Sequence, residues 1–256
     1  QADLVVLRNL PLIRTHVDTL RCRTFPYRGR PSKNIHRNAR QLARPECEPS
    51  SDPCRAEAEE KMASTSVDEA RSRLVDRVRD LAYLHSPDEP FTLASGRQST
   101  HFFDMKPVMM DPDCAHLLGV LIHAEIEDIG GVDAVGGLEL GAIPLTGIAI
   151  AKAGRGSSLR GFLVRKEPKG RGGRKTGNPP GIEGSSLAAG DRVVLLEDVT
   201  TTGGSALQAA ARLSEMGCEV AACITILDRE EGGAQAFAEA GINLRPLILK
   251  SDVAGG

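Results

Sequence analysis

Two hydrophobic patterns alternate along residues 66–253, and each predicts one kind of element. Apolar residues at helical spacing, such as Leu74, Val78 and Leu81, follow Ser66-Val67-Asp68-Glu69, which has the form of a helix-capping box. Short continuous apolar runs, such as Val193–Leu196, are instead typical of buried strands. Further helices are predicted at 113–126, 143–153, 205–216 and 231–240, and strands at 91–94, 100–104, 134–137, 161–165, 193–196, 220–227 and 244–249.

This alternation predicts an α/β fold with a central parallel sheet flanked by helices. Asp113 is expected to cap the second helix, and Gly130-Gly131 to end it. Ligands of such sheets bind beyond the carboxyl ends of the strands. Gly136-Gly137, Glu197-Asp198 and Asp228-Arg229 all follow predicted strands, so the sequence places a site among them.

Composition limits the classes of function that the chain can serve. It has 256 residues, 41% of them hydrophobic, and a formal net charge of −2, which gives no reason to expect a nucleic-acid partner. No apolar run approaches the ~18 residues of a membrane span. Six cysteines are scattered without a CxxC pair, so neither a zinc site nor a disulfide framework is indicated. A reducing compartment, the cytoplasm, is expected.

Residues 1–61 differ from the rest of the chain. They contain 12 Lys or Arg and 8 Asp or Glu, with proline throughout and half of the cysteines, and are predicted to be disordered or a non-native extension. Three interpretations stay open: a flexible extension, an upstream reading-frame extension with Met62 as the natural start, and a targeting peptide. Because the chain begins with Gln1, we expect that it is not a complete native reading frame. Residues 62–256 are predicted to form the functional domain.

The run Val193–Ser205 carries the clearest chemistry in the sequence. A buried strand leads into two adjacent carboxylates, then into a hydroxyl- and glycine-rich turn, Thr200-Thr201-Thr202-Gly203-Gly204, and then into a helix start at Ser205. Backbone N–H groups at such a turn and helix N-terminus can hold a phosphate, and the acid pair can hold ribose hydroxyls directly or through a divalent cation. The turn has no lysine, which suits a monophosphate better than a nucleoside triphosphate.

This run resembles the phosphoribosyl pyrophosphate (PRPP) motif of type I phosphoribosyltransferases. The resemblance implies that family's fold, with a small N-terminal hood at 66–110 and a core at 111–253. It further implies that the acid pair contacts the ribose hydroxyls and that the turn holds the 5-phosphate. The PRPP-binding residues implied are Glu197, Asp198, Thr200, Thr201, Thr202, Gly203, Gly204 and Ser205, together with Arg165, Lys166 and Lys169.

Other segments resemble one branch of that family, the orotate phosphoribosyltransferases. Residues 91–104 are similar to the hood of that branch, which implies that Phe102, Phe103 and Thr201 line the orotate pocket. Ala94 stands where many members have lysine. Arg229 matches an arginine that binds the orotate carboxylate, a role that suits its planar fork. An ion pair of Arg229 with Glu230 or Glu231 is the alternative.

A basic, glycine-rich segment at 165–181 resembles the family's mobile catalytic loop. The resemblance implies that Lys169 stabilises the pyrophosphate leaving group, with Lys166, Arg165 and Asp198 assisting, and that the loop reaches the neighbouring subunit of a homodimer. Arg171 stands where histidine is usual, and residues 173–181 also depart from the pattern. A solvated basic loop is the alternative.

The resemblance implies transfer of a phosphoribosyl group from PRPP to orotate, giving orotidine 5-monophosphate and pyrophosphate in pyrimidine synthesis. Mg²⁺ is the expected cofactor, held through PRPP and by Asp198 as a candidate protein ligand. Two other functions stay open at this point. One is a phosphoribosyltransferase for another base, and the other is a PRPP-sensing regulator without catalysis.

Overall fold

The computed structural model describes residues 65–92, 96, 98–167 and 177–255. Its helices are α1 (Val67–Leu81), α2 (Lys106–Met110), α3 (Pro112–Ile129), α4 (Ala142–Ala153), α5 (Gly204–Glu215), α6 (Gly233–Glu239) and α7 (Lys250–Ala254). Its strands are β1 (Tyr83–His85), β2 (Phe91–Thr92), β3 (Gln98–Ser99), β4 (His101–Phe103), β5 (Ala134–Leu138), β6 (Arg160–Val164), β7 (Ile182–Gly184), β8 (Arg192–Thr200), β9 (Glu219–Asp228) and β10 (Asn243–Leu249). The extension predicted at 1–61 lies outside the described residues.

A six-stranded sheet forms the centre of the molecule, in the order β10-β9-β8-β5-β6-β7. All neighbouring strands are parallel except β7, which pairs antiparallel with β6 at one edge. The other edge is β10, which contains Pro246. The predicted parallel sheet is therefore confirmed, and the antiparallel edge strand is an addition.

Helices cover both faces of this sheet, as the continuous apolar strands predict. Along β8, Val194 and Leu196 face one hydrophobic cluster, whose helical residues come from α1, α2, α3, α4 and α7. Val193 and Leu195 face the other cluster, which includes residues of α5 and Phe237 of α6. Successive strand residues alternate between two buried faces, which is why the central run Val193–Leu196 is apolar at every position.

The hood differs from the single predicted hairpin. Strand β2 does pair with β3, but β4 pairs antiparallel with β1, with Tyr83 opposite Phe103 and His85 opposite His101. The chain bends at Thr100, so the two predicted strands belong to separate two-stranded ladders. Strand β1 was not predicted, because three residues are too few to show a hydrophobic period. It also follows closely after the end of α1.

Helix caps explain where the first long helices begin. Ser66 Oγ accepts a hydrogen bond from Glu69 N at 3.2 Å, as the capping box predicts. For α3 the predicted cap was wrong, because Asp111 rather than Asp113 is the N-cap and its Oδ1 accepts from Cys114 N at 2.9 Å. Pro112 then occupies the first helical position, which tolerates a missing N–H. Gly130 ends α3 with φ of 66°, as expected.

Within the described residues, none of the helices is both long and apolar enough to cross a membrane.

Candidate active site

The acid pair lies within strand β8 and not after it. β8 continues to Thr200, so Glu197 and Asp198 occupy successive positions of a paired strand. Glu197 is buried, at 9% exposure, whereas Asp198 is half-buried. The two carboxylates therefore differ in environment, although the sequence shows them only as a pair.

Asp198 packs against the turn between β5 and α4. A Cβ atom added to Gly141 would lie 2.5 Å from Asp198 Cγ, so the backbone of this turn approaches the carboxylate closely. Asp198 Oδ1 accepts a hydrogen bond from Val199 N at 3.0 Å. The glycine-containing turn after β5 is thus in direct contact with the acid pair predicted to hold ribose.

Burial and a neighbouring charge shift the protonation of Glu197. Burial first, and then the negative charge of Asp198, raise the pKa of Glu197 to about 8. The positive charge of Lys166 opposes this shift in the pKa of Glu197. Glu197 therefore keeps its proton to a higher pH than an ordinary glutamate, and the Lys166 side chain is within electrostatic reach of Glu197.

A cavity of about 290 Å³ opens beside the acid pair. It is lined by Glu197 and Val199 and by the turn residues Thr200, Thr201, Thr202, Gly203, Gly204 and Ser205. Gly203 has φ of 79° and is the N-cap of α5, so the first N–H groups of this 12-residue helix follow directly from the turn. Backbone amides and hydroxyls can bind an anion there, because the helix N-terminus carries positive partial charge.

The loop that begins at Arg165 is anchored from two sides. Glu139, in the turn after β5, accepts a hydrogen bond from Lys166 N at 2.9 Å and lies 3.7 Å from the Arg165 guanidinium. From α5, Arg212 donates to the carbonyl oxygens of Arg165 and Lys166, the latter at 3.2 Å. Arg165 also lies 3.6 Å from Glu183. Arg165 thus holds the base of the loop, while the Lys166 side chain is exposed.

Arg229 lies at the carboxyl end of β9, next to the turn that is predicted to bind phosphate. Its backbone N donates to Thr200 O at 2.9 Å. Its side chain is only 4% exposed and pairs with Glu231 at 2.9 Å, which is the ion pair that the sequence left as an alternative. The guanidinium also contacts the hood, since Nη2 donates to Ser99 Oγ at 3.1 Å. Arg229 therefore lies where the hood meets the core.

The two predicted pocket phenylalanines lie on opposite faces of β4. Phe103 is buried in the core, 7% exposed, and the Arg229 guanidinium carbon lies 5.9 Å from its ring centre. Phe102 is half-buried on the other face, with its ring 5.4 Å from that of Phe91. Phe103 is the member of the pair that the structure brings to Arg229.

Several predicted site features lie outside the described residues. These are Ala94 in the hood, and Lys169, Arg171 and the segment 173–176 in the loop.

Comparisons with known proteins decide the family. A family model described as "Phosphoribosyl transferase domain" matches residues 113–236. An orotate phosphoribosyltransferase from Bradyrhizobium sp. (strain ORS 278) is 45% identical over 180 residues, which cover 70% of this chain and 94% of that protein. The chain belongs to the orotate phosphoribosyltransferase family.

Other members of the orotate phosphoribosyltransferase family are similar to this chain in sequence and in structure. The Thermococcus gammatolerans member is 38% identical over 189 residues, covering 72% of this chain and 92% of the relative. The crystal structure of the Mycobacterium tuberculosis enzyme in complex with PRPP is similar with a TM-score of 0.58 at 30% identity, covering 72% of this chain and 99% of that one. The fold predicted from the sequence is therefore confirmed.

The donor atoms of the site fit the Mg²⁺ expected for an orotate phosphoribosyltransferase. Mg²⁺ prefers oxygen ligands and keeps few protein ones, and Asp198, next in sequence to the cavity-lining Glu197, offers a partly exposed carboxylate. The described residues contain no group of three or more His, Cys, Asp or Glu that could hold a metal ion by themselves. A cation here would therefore take most of its ligands from the substrate and water.

Sequence reasoning missed three side chains that organise this site, Ser99, Glu139 and Arg212, and it named Glu231 only as an alternative ion-pair partner of Arg229. Glu139 and Glu231 follow strand ends, a signal that was available. Arg212 occupies an ordinary surface position of a helix, and Ser99 an ordinary strand position. No sequence pattern distinguishes these two from solvent-exposed polar residues.

Proposed function

We propose that this protein transfers the 5-phosphoribosyl group of PRPP to orotate, giving orotidine 5-monophosphate and pyrophosphate. The bond from ribose C1 to the pyrophosphate oxygen breaks, and pyrophosphate leaves with the electron pair. A ring nitrogen of orotate forms the new bond to C1 and loses its proton. Little covalent help is needed, so the protein acts by positioning the two substrates and stabilising charge.

The ribose-phosphate part of PRPP fits the cavity at the end of β8. The turn Thr201–Ser205 and the first N–H groups of α5 would hold the 5-phosphate, and Glu197 and Asp198 would hold the ribose hydroxyls. Thr200 also lines this cavity and would contribute through its main chain, because its side-chain oxygen is buried. In this arrangement the pyrophosphate group points towards the turn at Gly141, which contacts Asp198.

The basic loop at 165–181 would neutralise negative charge on the pyrophosphate leaving group. Lys166 is exposed at the loop base, and Lys169 is proposed to approach the pyrophosphate when the loop closes over the site. Mg²⁺, when bound, would neutralise pyrophosphate and ribose oxygens, with Asp198 as its candidate protein ligand. Arg165 would assist mainly by holding the loop base against Glu139 and Glu183.

One observation carries the assignment of orotate as the base. Arg229 N donates to Thr200 O at 2.9 Å, and Thr200 lines the cavity, so a residue with a buried guanidinium directly adjoins the proposed ribose-phosphate site. A base that reacts at ribose C1 must sit next to that cavity, and a guanidinium there favours a base that carries a carboxylate. Orotate has such a group, and purines do not.

An assay with orotate, PRPP and Mg²⁺ tests this function. We expect loss of orotate together with release of pyrophosphate, and no reaction when adenine, hypoxanthine or uracil replaces orotate. Turnover of a purine would favour a phosphoribosyltransferase for another base. PRPP binding by calorimetry without turnover of any base would favour a regulator.

We further propose a homodimer in which the loop 165–181 of one subunit reaches the site of the other. Mixing Lys169→Ala subunits with Asp198→Asn subunits tests this, because a shared site would be restored in the hybrid and activity would recover. No recovery on mixing would place both residues in the same subunit's site. The buried free thiols of Cys114, Cys218 and Cys223 support a reducing compartment, and we propose the cytoplasm.

A further inference from the structure

The orientation of the Arg229 guanidinium is fixed by side chains that do not belong to the predicted site. Nε donates to Oε1 of Glu231 at 3.1 Å, and Nη2 lies 2.9 Å from the same oxygen. This is the edge of a guanidinium that usually binds a carboxylate with two parallel hydrogen bonds. The Glu231 side chain is itself only 15% exposed, so the ion pair is largely shielded from water.

The hood supplies the second constraint on this guanidinium. Nη2 also donates to Ser99 Oγ at 3.1 Å and to His101 O at 3.3 Å. Ser99 Oγ in turn donates to His101 O at 2.9 Å and accepts from His101 N at 3.1 Å. The hydroxyl is therefore held in place by the backbone of β4 before it meets Arg229.

These contacts account for the hydrogens of Nε and Nη2. A guanidinium has five N–H donors in a rigid plane, and the remaining two are on Nη1. The Phe103 ring, 5.9 Å from the guanidinium carbon, further restricts the plane. A substrate carboxylate would therefore meet Arg229 at Nη1.

We propose that Glu231 and Ser99 are positioning residues for base recognition: together they hold Arg229 so that Nη1 is presented to the carboxylate of the base. This inference rests on the proposed function, because it takes orotate as the ligand of Arg229. Glu231 also neutralises the buried positive charge of Arg229, because a buried guanidinium without a partner would destabilise the fold. Because Glu231 already neutralises Arg229, the affinity for the substrate carboxylate should depend more on the orientation of Nη1 than on the net charge of the site.

The experiment compares Glu231→Gln and Ser99→Ala with the wild type. The matched control is Glu239→Gln, an exposed carboxylate on α6 that hydrogen-bonds Gln235. We expect the KM for orotate to rise about tenfold or more in Glu231→Gln and less in Ser99→Ala, in line with the loss of hydrogen bonds to a charged group. The Kd of PRPP, the inhibition by uracil (which lacks the carboxylate) and the control variant should be unchanged.

A double-mutant cycle separates positioning from general stability. If both residues act through Arg229, then Glu231→Gln in an Arg229→Lys background should cause no further rise in the KM for orotate. Ser99→Thr, which keeps the hydroxyl, should restore most of the affinity lost in Ser99→Ala. Should Glu231→Gln fail to fold, the two half-buried Ser99 variants carry the test.

Three results would overturn the inference. One is an unchanged KM for orotate in both variants. Another is a lower KM in Glu231→Gln, which would make Glu231 a competitor of the substrate. The third is an equal loss of PRPP affinity, which would indicate a general structural role. A wild-type protein that does not turn over orotate would instead refute the proposed function, so the two failures are distinguishable.

Discussion

Glu197 links the electrostatics of the site to the stability of the protein. Its pKa is raised from an ordinary 4.5 to about 8, so between these values the folded protein holds a proton that the unfolded chain has released. The free energy of unfolding should therefore fall as pH rises through this window, by up to about 1.4 kcal/mol per pH unit. Glu197→Gln should remove this slope and be more stable than the wild type at pH 8, measured by chemical denaturation from pH 5 to 8.5.

The informative quantity is the difference in the free energy of unfolding between Glu197→Gln and the wild type, because other groups titrate nearby. Burial, and then the charges of Lys250, His85 and Arg229, lower the pKa of His101, which adds stability as pH rises towards 6.5. This contribution is common to both proteins and cancels in the difference. Parallel curves for Glu197→Gln and the wild type would show that Glu197 has an ordinary pKa. Glu239→Gln serves as the surface control.

A second prediction at the scale of one residue concerns the buried hydroxyl of Thr200. Its Oγ1 is buried and has no hydrogen-bond partner among the described residues. A buried unpaired hydroxyl costs about 1–3 kcal/mol, and valine has nearly the same shape. We expect Thr200→Val to raise the midpoint of thermal unfolding without changing the KM for PRPP. A large rise in that KM would show that the hydroxyl binds the substrate.

At the scale of elements, Gly203 decides where α5 begins and therefore where the phosphate would lie. Its φ is 79°, and an added Cβ would lie 2.9 Å from Phe237 Cε2. Gly203→Ala should cost about 1–2 kcal/mol of stability for the left-handed backbone alone and should weaken PRPP binding measured by calorimetry. In Gly147→Ala, on an open face of α4, a Cβ meets no atom within 4 Å, and PRPP binding should be unaffected. Equal effects of the two substitutions would contradict this assignment.

Arg212 connects α5 to the loop base, and the prediction for it concerns rate. Loss of its hydrogen bonds to the Arg165 and Lys166 carbonyls should loosen the start of the loop. We expect Arg212→Ala to lower kcat about tenfold, the equivalent of one lost hydrogen bond, with a smaller change in the Kd of PRPP. Steady-state kinetics and calorimetry measure the two quantities. A loss confined to PRPP binding would refute a role in the loop.

Helices and strands long enough to show a hydrophobic period were predictable from the sequence, and the shortest strands were not. The parallel strands and the helices α1, α3, α4, α5 and α6 follow from apolar periodicity. Strands β1 and β7, with three residues each, carry no period. In the site, the turn that lines the cavity could be singled out because its residues are consecutive. The cluster of Arg229, Glu231 and Ser99 joins segments 130 residues apart and depends on tertiary packing.

At the scale of the whole molecule, the described fold corresponds to nearly all of a relative. The 180 residues matched to the Bradyrhizobium protein cover 94% of it but only 70% of this chain. We therefore expect a chain that starts at Met62 to keep its kcat and its KM for PRPP. Assays on both lengths check this expectation. RNA or DNA retention by the full chain alone, without turnover by either, would favour the regulatory alternative.

The two edges of the central sheet restrict how copies of this protein can associate. One edge, β7, has three residues, and the other, β10, contains Pro246, which has no N–H to offer a further strand. Continuation of the sheet from one molecule into the next is therefore disfavoured at both ends, which also protects the protein against edge-to-edge aggregation. A homodimer of this chain is therefore not expected to form by continuation of the central sheet, so its dissociation should respond to surface substitutions and not to peptides that pair with β7 or β10.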